Sequence, residues 1–528
     1  MTETYDYIVV GGGSAGCIVA AELANEPRIR VLLLESGPAA EEHPETLAAS
    51  GYKEAFINDA VMGERFSVPQ THSAKQRIFA GTGTVLGGSG SVNGMVYTRG
   101  AREDYAEWPT GWHWDDIQED FGAIEATLRP HRREPTEWTE ACIASAEELG
   151  FSRKEDLNDG GMSNVIGYEW MSYEGQDRRS SYVAFIKDAG ERSNLTVLSE
   201  ARAHRVLFEN GKRARWVEFE HDGHLQRARA EGEIILCAGA LETPKLLMLS
   251  GVGPGEHLRE FGLAVHADRP SVGAGLHDHP NVPVFFKTQR DIDCQYPQLY
   301  SFFRTNDSTD LPQAQSDTCY VYWPAPSSLE QMMKRMLPPK LVPHSLYGPR
   351  SRELVRNLVG GAFRFEVAQQ FARRLFGIIL ILGKPKSRGN LRLKSPSVRA
   401  QALIDPAYYS HDEDMQTMIK GVRIARKIGQ AEGLANWGAT EMMPGRRTKT
   451  DEAIAKYVRS NSITTYHFAG TCSMGETDEH VVDPELRVRG VEGLRVADAS
   501  AIPSTPVSAL NAPSMLIGYR AAKAIRGA

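Results

Sequence analysis

Two stretches late in the chain carry side chains with chemistry to offer. Thr464-Thr465-Tyr466-His467-Phe468-Ala469-Gly470-Thr471-Cys472 sets a single histidine among Thr and Gly, and Asn511-Ala512-Pro513 follows. An imidazole titrates near neutrality, so His467 can take a proton from a substrate hydroxyl. Asn511 offers an amide that can hydrogen-bond the same oxygen but cannot act as a base. Near the start lies Gly11-Gly12-Gly13-Ser14-Ala15-Gly16, the glycine pattern of a dinucleotide-binding turn. A base, an amide and a dinucleotide together point to hydride removal from an alcohol. Cys472 is a rival nucleophile, but no neighbouring group marks its thiolate as stabilised.

The elements around the glycines give them their meaning. Tyr5 to Val10 reads as an apolar strand, Ile18, Val19, Ala21 and Leu23 as a helix, and Val31 to Leu34 as a second strand ending at Glu35. Strand, turn, helix, strand and acid are the context in which the pattern binds a dinucleotide. Gly11 makes the turn, Gly13 lets backbone approach a pyrophosphate at the helix N-terminus, and Gly16 allows close packing. Ser14 and Ala15 open the helix, and Glu35 can accept hydrogen bonds from ribose hydroxyls. Further strands are expected at 195–198, 203–209, 215–220 and 234–237, a helix after Thr243-Pro244, a last strand at 494–498 and a closing helix at 513–524. This layout makes the cofactor domain discontinuous.

With 528 residues the chain can form two or more units around sizeable cores. A hydrophobic share of 41% and a charged share of 24% are those of a globular protein, and a net charge of −7 argues against nucleic acid as a partner. No apolar stretch follows Met1-Thr2-Glu3, so no signal peptide is expected. The apolar run Ile378 to Leu382 is too short to span a bilayer. Six scattered cysteines without a C-x-x-C pattern fit a reducing cytoplasm. His277 and His279 flank Asp278 without further ligands at metal spacing, so no metal is expected.

These pieces together resemble the glucose–methanol–choline family of flavin oxidoreductases. Gly11 to Gly16 with Glu35 is similar to its cofactor turn, Gly83 to Asn93 to its first signature, and Gly239 to Gly253 to its second; Asp278-His279-Pro280, Ser387-Arg388-Gly389 and Asp498-Ala499-Ser500 are further landmarks. Thr84, Gly90, Gly275 and Tyr519 depart from the usual residues. The resemblance implies an α/β protein with a Rossmann-like FAD-binding domain (1–160, 195–284 and 456–528) and a substrate-binding domain on a mostly antiparallel sheet (161–194 and 285–455). It implies FAD contacts at Gly87, Gly88, Asn93, Gly94, Val206, Asp498, Ala499 and Pro513 in addition to the turn, and Tyr466 on the substrate pocket. Val92 stands where some members carry a histidine bonded to flavin, so FAD is expected to be held non-covalently. His467 would take the hydroxyl proton, Asn511 would orient the oxygen, and the carbon would pass hydride to the flavin. The product is an aldehyde from a primary alcohol, with oxygen or another electron acceptor reoxidising the flavin. The same scaffold also hosts lyases and a light-driven fatty-acid decarboxylase, which are the alternative.

Residues 329–377 are the most individual part of the chain. Leu329, Met332, Met333, Met336 and Leu337 fall on one helical face, and many apolar residues follow. The segment holds nine Lys or Arg against three Glu, net +6, so the rest of the chain carries −13. A basic amphipathic insert reads as a lid, a subunit contact or a peripheral membrane contact. The membrane version rests on cations such as Lys334, Arg335, Arg373 and Arg374, and its many apolar residues favour a hydrophobic alcohol, long-chain aliphatic or aromatic.

Overall fold

The structure, a computed structural model, describes residues 3–527. Two large sheets organise it. In the first, the strands run in the order Leu195–Leu198, Val31–Leu34, Glu3–Val10, His224–Leu236, Arg213–His221 and Arg202–Glu209, with Leu494–Val496 also paired to His224–Leu236. Leu195–Leu198, Val31–Leu34, Glu3–Val10, His224–Leu236 and Leu494–Val496 are parallel, and the hairpin strands 213–221 and 202–209 are antiparallel. Val31–Leu34 is buried along its whole length, as a parallel strand covered on both faces must be. The helix Ser14–Leu23 is likewise buried almost all round. It packs so tightly on the closing helix Asn511–Gly527 that a Cβ at Gly518 would lie 2.6 Å from the Ala15 carbonyl oxygen.

The second sheet orders Thr440–Met443, Pro280–Lys287, Leu375–Leu382, Thr318–Pro324, Leu299–Phe303, Val165–Tyr168 and Ser152–Arg153, with Ile463–Thr464 beside Pro280–Lys287. All its pairings are antiparallel except the last, 152–153 with 165–168. The strand Leu375–Leu382 explains the apolar run seen in the sequence. Ile378, Leu380 and Leu382 enter a core with Met418, Val422 and Ile428 of the helix Asp412–Gln430. Ile379 and Ile381, one residue out of phase, wall a cavity instead. A strand whose two faces both meet apolar surroundings needs no alternation.

Packing crosses the domain boundaries drawn from sequence. The helix Glu137–Glu147 places Trp138, Cys142 and Ile143 in the core of the antiparallel sheet. Tyr182 to Phe185, and Leu391, Leu393 and Ile404, join the core of the cofactor sheet. Strand Gly389–Arg392 pairs with Ala274–Leu276. Local apolar pattern says that a face must be buried; only long-range pairing decides against which sheet.

Residues 329–377 form five helical pieces ending at the strand Leu375–Leu382. Three of these are the helices Leu329–Met336, Pro349–Ala362 and Glu366–Arg373. Leu329, Met332, Met333, Phe363, Phe371, Ala372 and Leu375 make a small core of their own. Much of the basic charge turns inward. Arg335, Arg352 and Arg356 all pair with Asp59, and Arg352 also with Glu64. Burial alone would raise the Asp59 carboxyl, but the three guanidinium groups outweigh it and hold it below the usual range. Lys334 pairs with Glu330, Arg373 with Glu366 and Asp291, and Arg374 with Asp291. The four cations singled out in the sequence are therefore all engaged within the protein.

Candidate active site

One cavity of about 560 Å³ lies between the two sheets. Its cofactor-side wall is the carboxyl end of the parallel strands, where ligands bind in open α/β sheets: Val10, Gly11, Gly13, Ser14, Ala15, Leu34, Glu35, Cys237 and Gly239 line it. Gly11 has φ +108°, and a Cβ there would sit 2.4 Å from the Cys237 carbonyl oxygen. Gly13 differs. Its φ of −82° suits any residue, and a Cβ would find no protein atom nearer than 3.9 Å. The protein leaves that space open beside the uncapped N-terminus of helix Ser14–Leu23, as a pyrophosphate cradle requires. Both oxygens of Glu35 accept backbone hydrogen bonds, Oε2 from Gly12 at 2.9 Å and Oε1 from Gly37 at 2.8 Å. Burial raises its carboxyl above the ordinary value. These features fit the dinucleotide part of FAD.

The first-signature loop closes over this turn. The Gly87 amide donates to the Gly12 carbonyl at 2.7 Å, and Gly88, Val92, Asn93 and Gly94 line the cavity. Asp498 and Ala499 line it too. The Asp498 carboxylate accepts from the Gly239 and Ser500 amides, both at 2.8 Å, and from the Thr243 and Ser500 hydroxyls. Gly16, Gly87 and Pro513 stand behind the wall rather than on it. Val206 does not reach the cavity: its amide donates to Ser250 Oγ at 2.8 Å, and the strand touches the cavity only at Arg202 and Ala203.

His467 and Asn511 open onto the same cavity. The His467 amide donates to Asp278 Oδ1 at 2.7 Å, and the same carboxylate accepts from the Thr464 and Tyr408 hydroxyls. This grip holds Tyr466 at φ +64°, a conformation costly for a bulky side chain. Tyr466 lines the cavity and packs edge-on against Phe56 and Phe79. His467 Nδ1 lies 3.0 Å from His279 Nδ1, and His279 Nε2 lies 3.0 Å from Thr505 Oγ1. One ring must donate and the other accept. If His467 carries the Nδ1 proton, its Nε2 is a free lone pair. Burial pushes the His467 imidazole down to about 4 and, with the neighbouring His467, pushes His279 well below its ordinary value. Asn511 Oδ1 accepts from Ser14 Oγ at 2.8 Å, which leaves the amide NH₂ to donate elsewhere.

Gly90, one of the departures from the family pattern, now has a reason. A Cβ there would meet Ser14 Oγ at 2.7 Å, so a serine would displace the hydroxyl that anchors Asn511. Arg178 is a residue that sequence reasoning missed. It is buried, no carboxylate among the described residues pairs with it, and it donates to Gly90 O, Asn93 O and Asn93 Oδ1 at 2.7–3.0 Å. Burial draws it down to about 9. Its only sequence signal was its charge, shared with many other residues.

A dinucleotide turn at the carboxyl end of a parallel sheet, facing a histidine and an amide across one cavity, defines a two-layered oxidoreductase with a nucleotide cofactor. Residues 5–281 and 385–518 match the models of the GMC oxidoreductase family, and the chain belongs to that family. It is an FAD-dependent oxidoreductase acting on CH–OH donors. It is similar to an alcohol dehydrogenase (acceptor) of Pseudomonas putida, 32% identical over 99% of this chain and 95% of that one. A choline oxidase of Arthrobacter globiformis is 31% identical over 99% and 94%. The crystal structure of pyridoxine 4-oxidase from Mesorbium loti superposes with a TM-score of 0.83 at 25% identity, over 98% of each chain.

Proposed function

We propose that this protein oxidises a hydrophobic primary alcohol, long-chain aliphatic or aromatic, to its aldehyde. The observation that carries the reading is the pairing of His467 and Asn511 on a cavity lined by Val321, Trp323, Met332, Ile379, Ile381 and Leu510, with Asn281, Tyr300 and Gln331 as polar residues among them. Bound in the cradle around Gly13, FAD supplies the hydride acceptor; Val92 offers it no nucleophile, so it is held without a covalent bond. His467 Nε2 takes the hydroxyl proton; in this reading His467 is the donor at Nδ1 to His279, which leaves its Nε2 free. The Asn511 NH₂ donates to the alcohol oxygen and steadies it as negative charge develops. The partners in this reading are the alcohol, oxygen or another electron acceptor, and a membrane met peripherally through residues 329–377. Six free, buried cysteines fit a reducing cytoplasm.

The test is anaerobic flavin reduction by a panel of long-chain aliphatic, benzylic and polyol alcohols, followed by air. Bleaching by the first two classes and not the polyol supports the reading. A flavin that no alcohol bleaches moves the weight to a lyase. The rate of bleaching should be flat through neutrality and fall as pH drops well below 6.5, toward about 4. The sign follows from the base: burial lowers its pKa, and only protonation below that value removes its lone pair. An acid limb centred at 6.5 or above would contradict it.

Ser14→Ala should retain FAD and lower the rate of reduction roughly fivefold, the worth of one hydrogen bond of about 1 kcal/mol. Ser14 also lines the cofactor cavity, so the rate is read at full flavin content, where an unchanged value would mean that the amide needs no fixing.

A further inference from the structure

The helix Pro349–Ala362 is inverted relative to an ordinary surface helix. Two of its three arginines face inward: Arg352 and Arg356 are only 13% and 12% exposed, locked on Asp59. Its leucines face outward: Leu354 and Leu358, one turn apart, are 62% and 65% exposed. Phe365 and Val367 continue the strip at 71% and 78%, and Leu341 and Leu346 stand out beside them. Of ten large exposed apolar side chains among the described residues, six are these. Scattered singly they would mean nothing; gathered within residues 341–367 they mark a contact surface.

The charge around the strip says what it contacts. Lys340, Arg350 and Arg364 reach the surface, the Lys340 ammonium held below its usual value by partial burial, and none has a carboxylate partner among the described residues, whereas Glu353 is the one acid here without a cation. A symmetric contact with a second copy would set these cations against their own kind, with only Glu353 to answer them. An anionic bilayer answers all three. Elsewhere the chain carries net negative charge, which repels such a surface and leaves this face to meet it. No helix among the described residues is long and apolar enough to cross a membrane, so the contact is interfacial.

We propose that the outer face of residues 340–367 docks on an anionic phospholipid bilayer, with Leu354, Leu358, Phe365 and Val367 in the headgroup boundary and Lys340, Arg350 and Arg364 on the phosphates. Such faces bind by apolar area plus charge. Docking there has a use for the site. The helix Pro349–Ala362 packs on Leu329–Met336, whose Gln331 and Met332 line the cavity. An apolar alcohol leaving the bilayer would meet the lid of the cavity directly. This last step rests on the alcohol reading above; the docking itself does not.

The test is co-sedimentation of the FAD-loaded protein with vesicles of phosphatidylcholine alone, and of phosphatidylcholine and phosphatidylglycerol in equal parts. Binding to the mixed vesicles and little to the neutral ones is expected. R350E/R364E and L354S/L358S should each weaken that binding about tenfold or more, while flavin content stays at the wild-type level. Wild-type protein that remains in the supernatant with both vesicles overturns the proposal, as do variants that bind as well as wild type. Light scattering covers the rival occupant: a dimer that L354S/L358S converts to monomer would assign the face to a second copy. Vesicle binding needs no turnover, so a failure of the alcohol panel leaves this result readable.

Discussion

Replacing His467 with alanine should slow alcohol-driven flavin reduction by on the order of 10²–10⁴-fold, the contribution of a positioned general base, and leave FAD bound. Three features make the side chain separable from its surroundings. The His467 amide, not its ring, donates to Asp278 Oδ1, so the loop keeps its anchor. The cofactor cradle is built from residues 10–15, 34–35 and 237–239 on the far sheet. The ring's one partner among the described residues is His279, which lines the same cavity. The yellow colour of the purified variant and its anaerobic reduction rate would be read together. A variant that reduces as fast as wild type would remove His467 from the role of base; one that loses FAD would place it in cofactor retention instead.

Gly13→Val should give a folded, colourless protein. A Cβ at Gly13 has no protein atom within 3.9 Å, and its backbone lies where any residue is at ease; the isopropyl group projects into the space reserved for the pyrophosphate. Gly16→Ala is the counterpart. There a Cβ would lie 1.9 Å from the Gly11 carbonyl oxygen, a clash inside the packed fold rather than with a ligand. Far-ultraviolet circular dichroism, thermal unfolding and flavin absorbance separate the cases. Gly13→Val keeps the native spectrum and loses the flavin; Gly16→Ala loses stability. Retention of stoichiometric FAD by Gly13→Val would refute the cradle.

The cofactor half of the site was legible because it is local. Strand, Gly11 to Gly16, helix, strand and Glu35 occur within a short stretch, and each element carries its own periodic pattern. His467 and Asn511 were legible through the motifs around them. What the sequence did not disclose depends on partners from 85 to 497 positions away. Nothing near Arg335, Arg352 or Arg356 announces Asp59, so the insert's basic charge reads as a solvated or lipid-facing stripe when most of it is spent inside. Thr505 beneath His279, Ser14 beneath Asn511, and Arg178 beneath Asn93 are each invisible for the same reason. Val206 shows the opposite failure: a strand was placed correctly, yet the cavity touches it a few residues earlier.

The hydrogen bond between Ser14 and Asn511 spans 497 positions, and this fixes an order in time. At a synthesis rate of about 5–20 residues per second, roughly 25–100 s separate the emergence of the two side chains. The parallel sheet around the glycine turn lacks only Leu494–Val496 once residue 236 has been made, so a nascent chain owns most of a nucleotide cradle long before it owns His467 or Asn511. A chain cut short would thus keep the turn and lack the reacting groups, and turnover, unlike the glycine turn, reports on chains completed through residue 511.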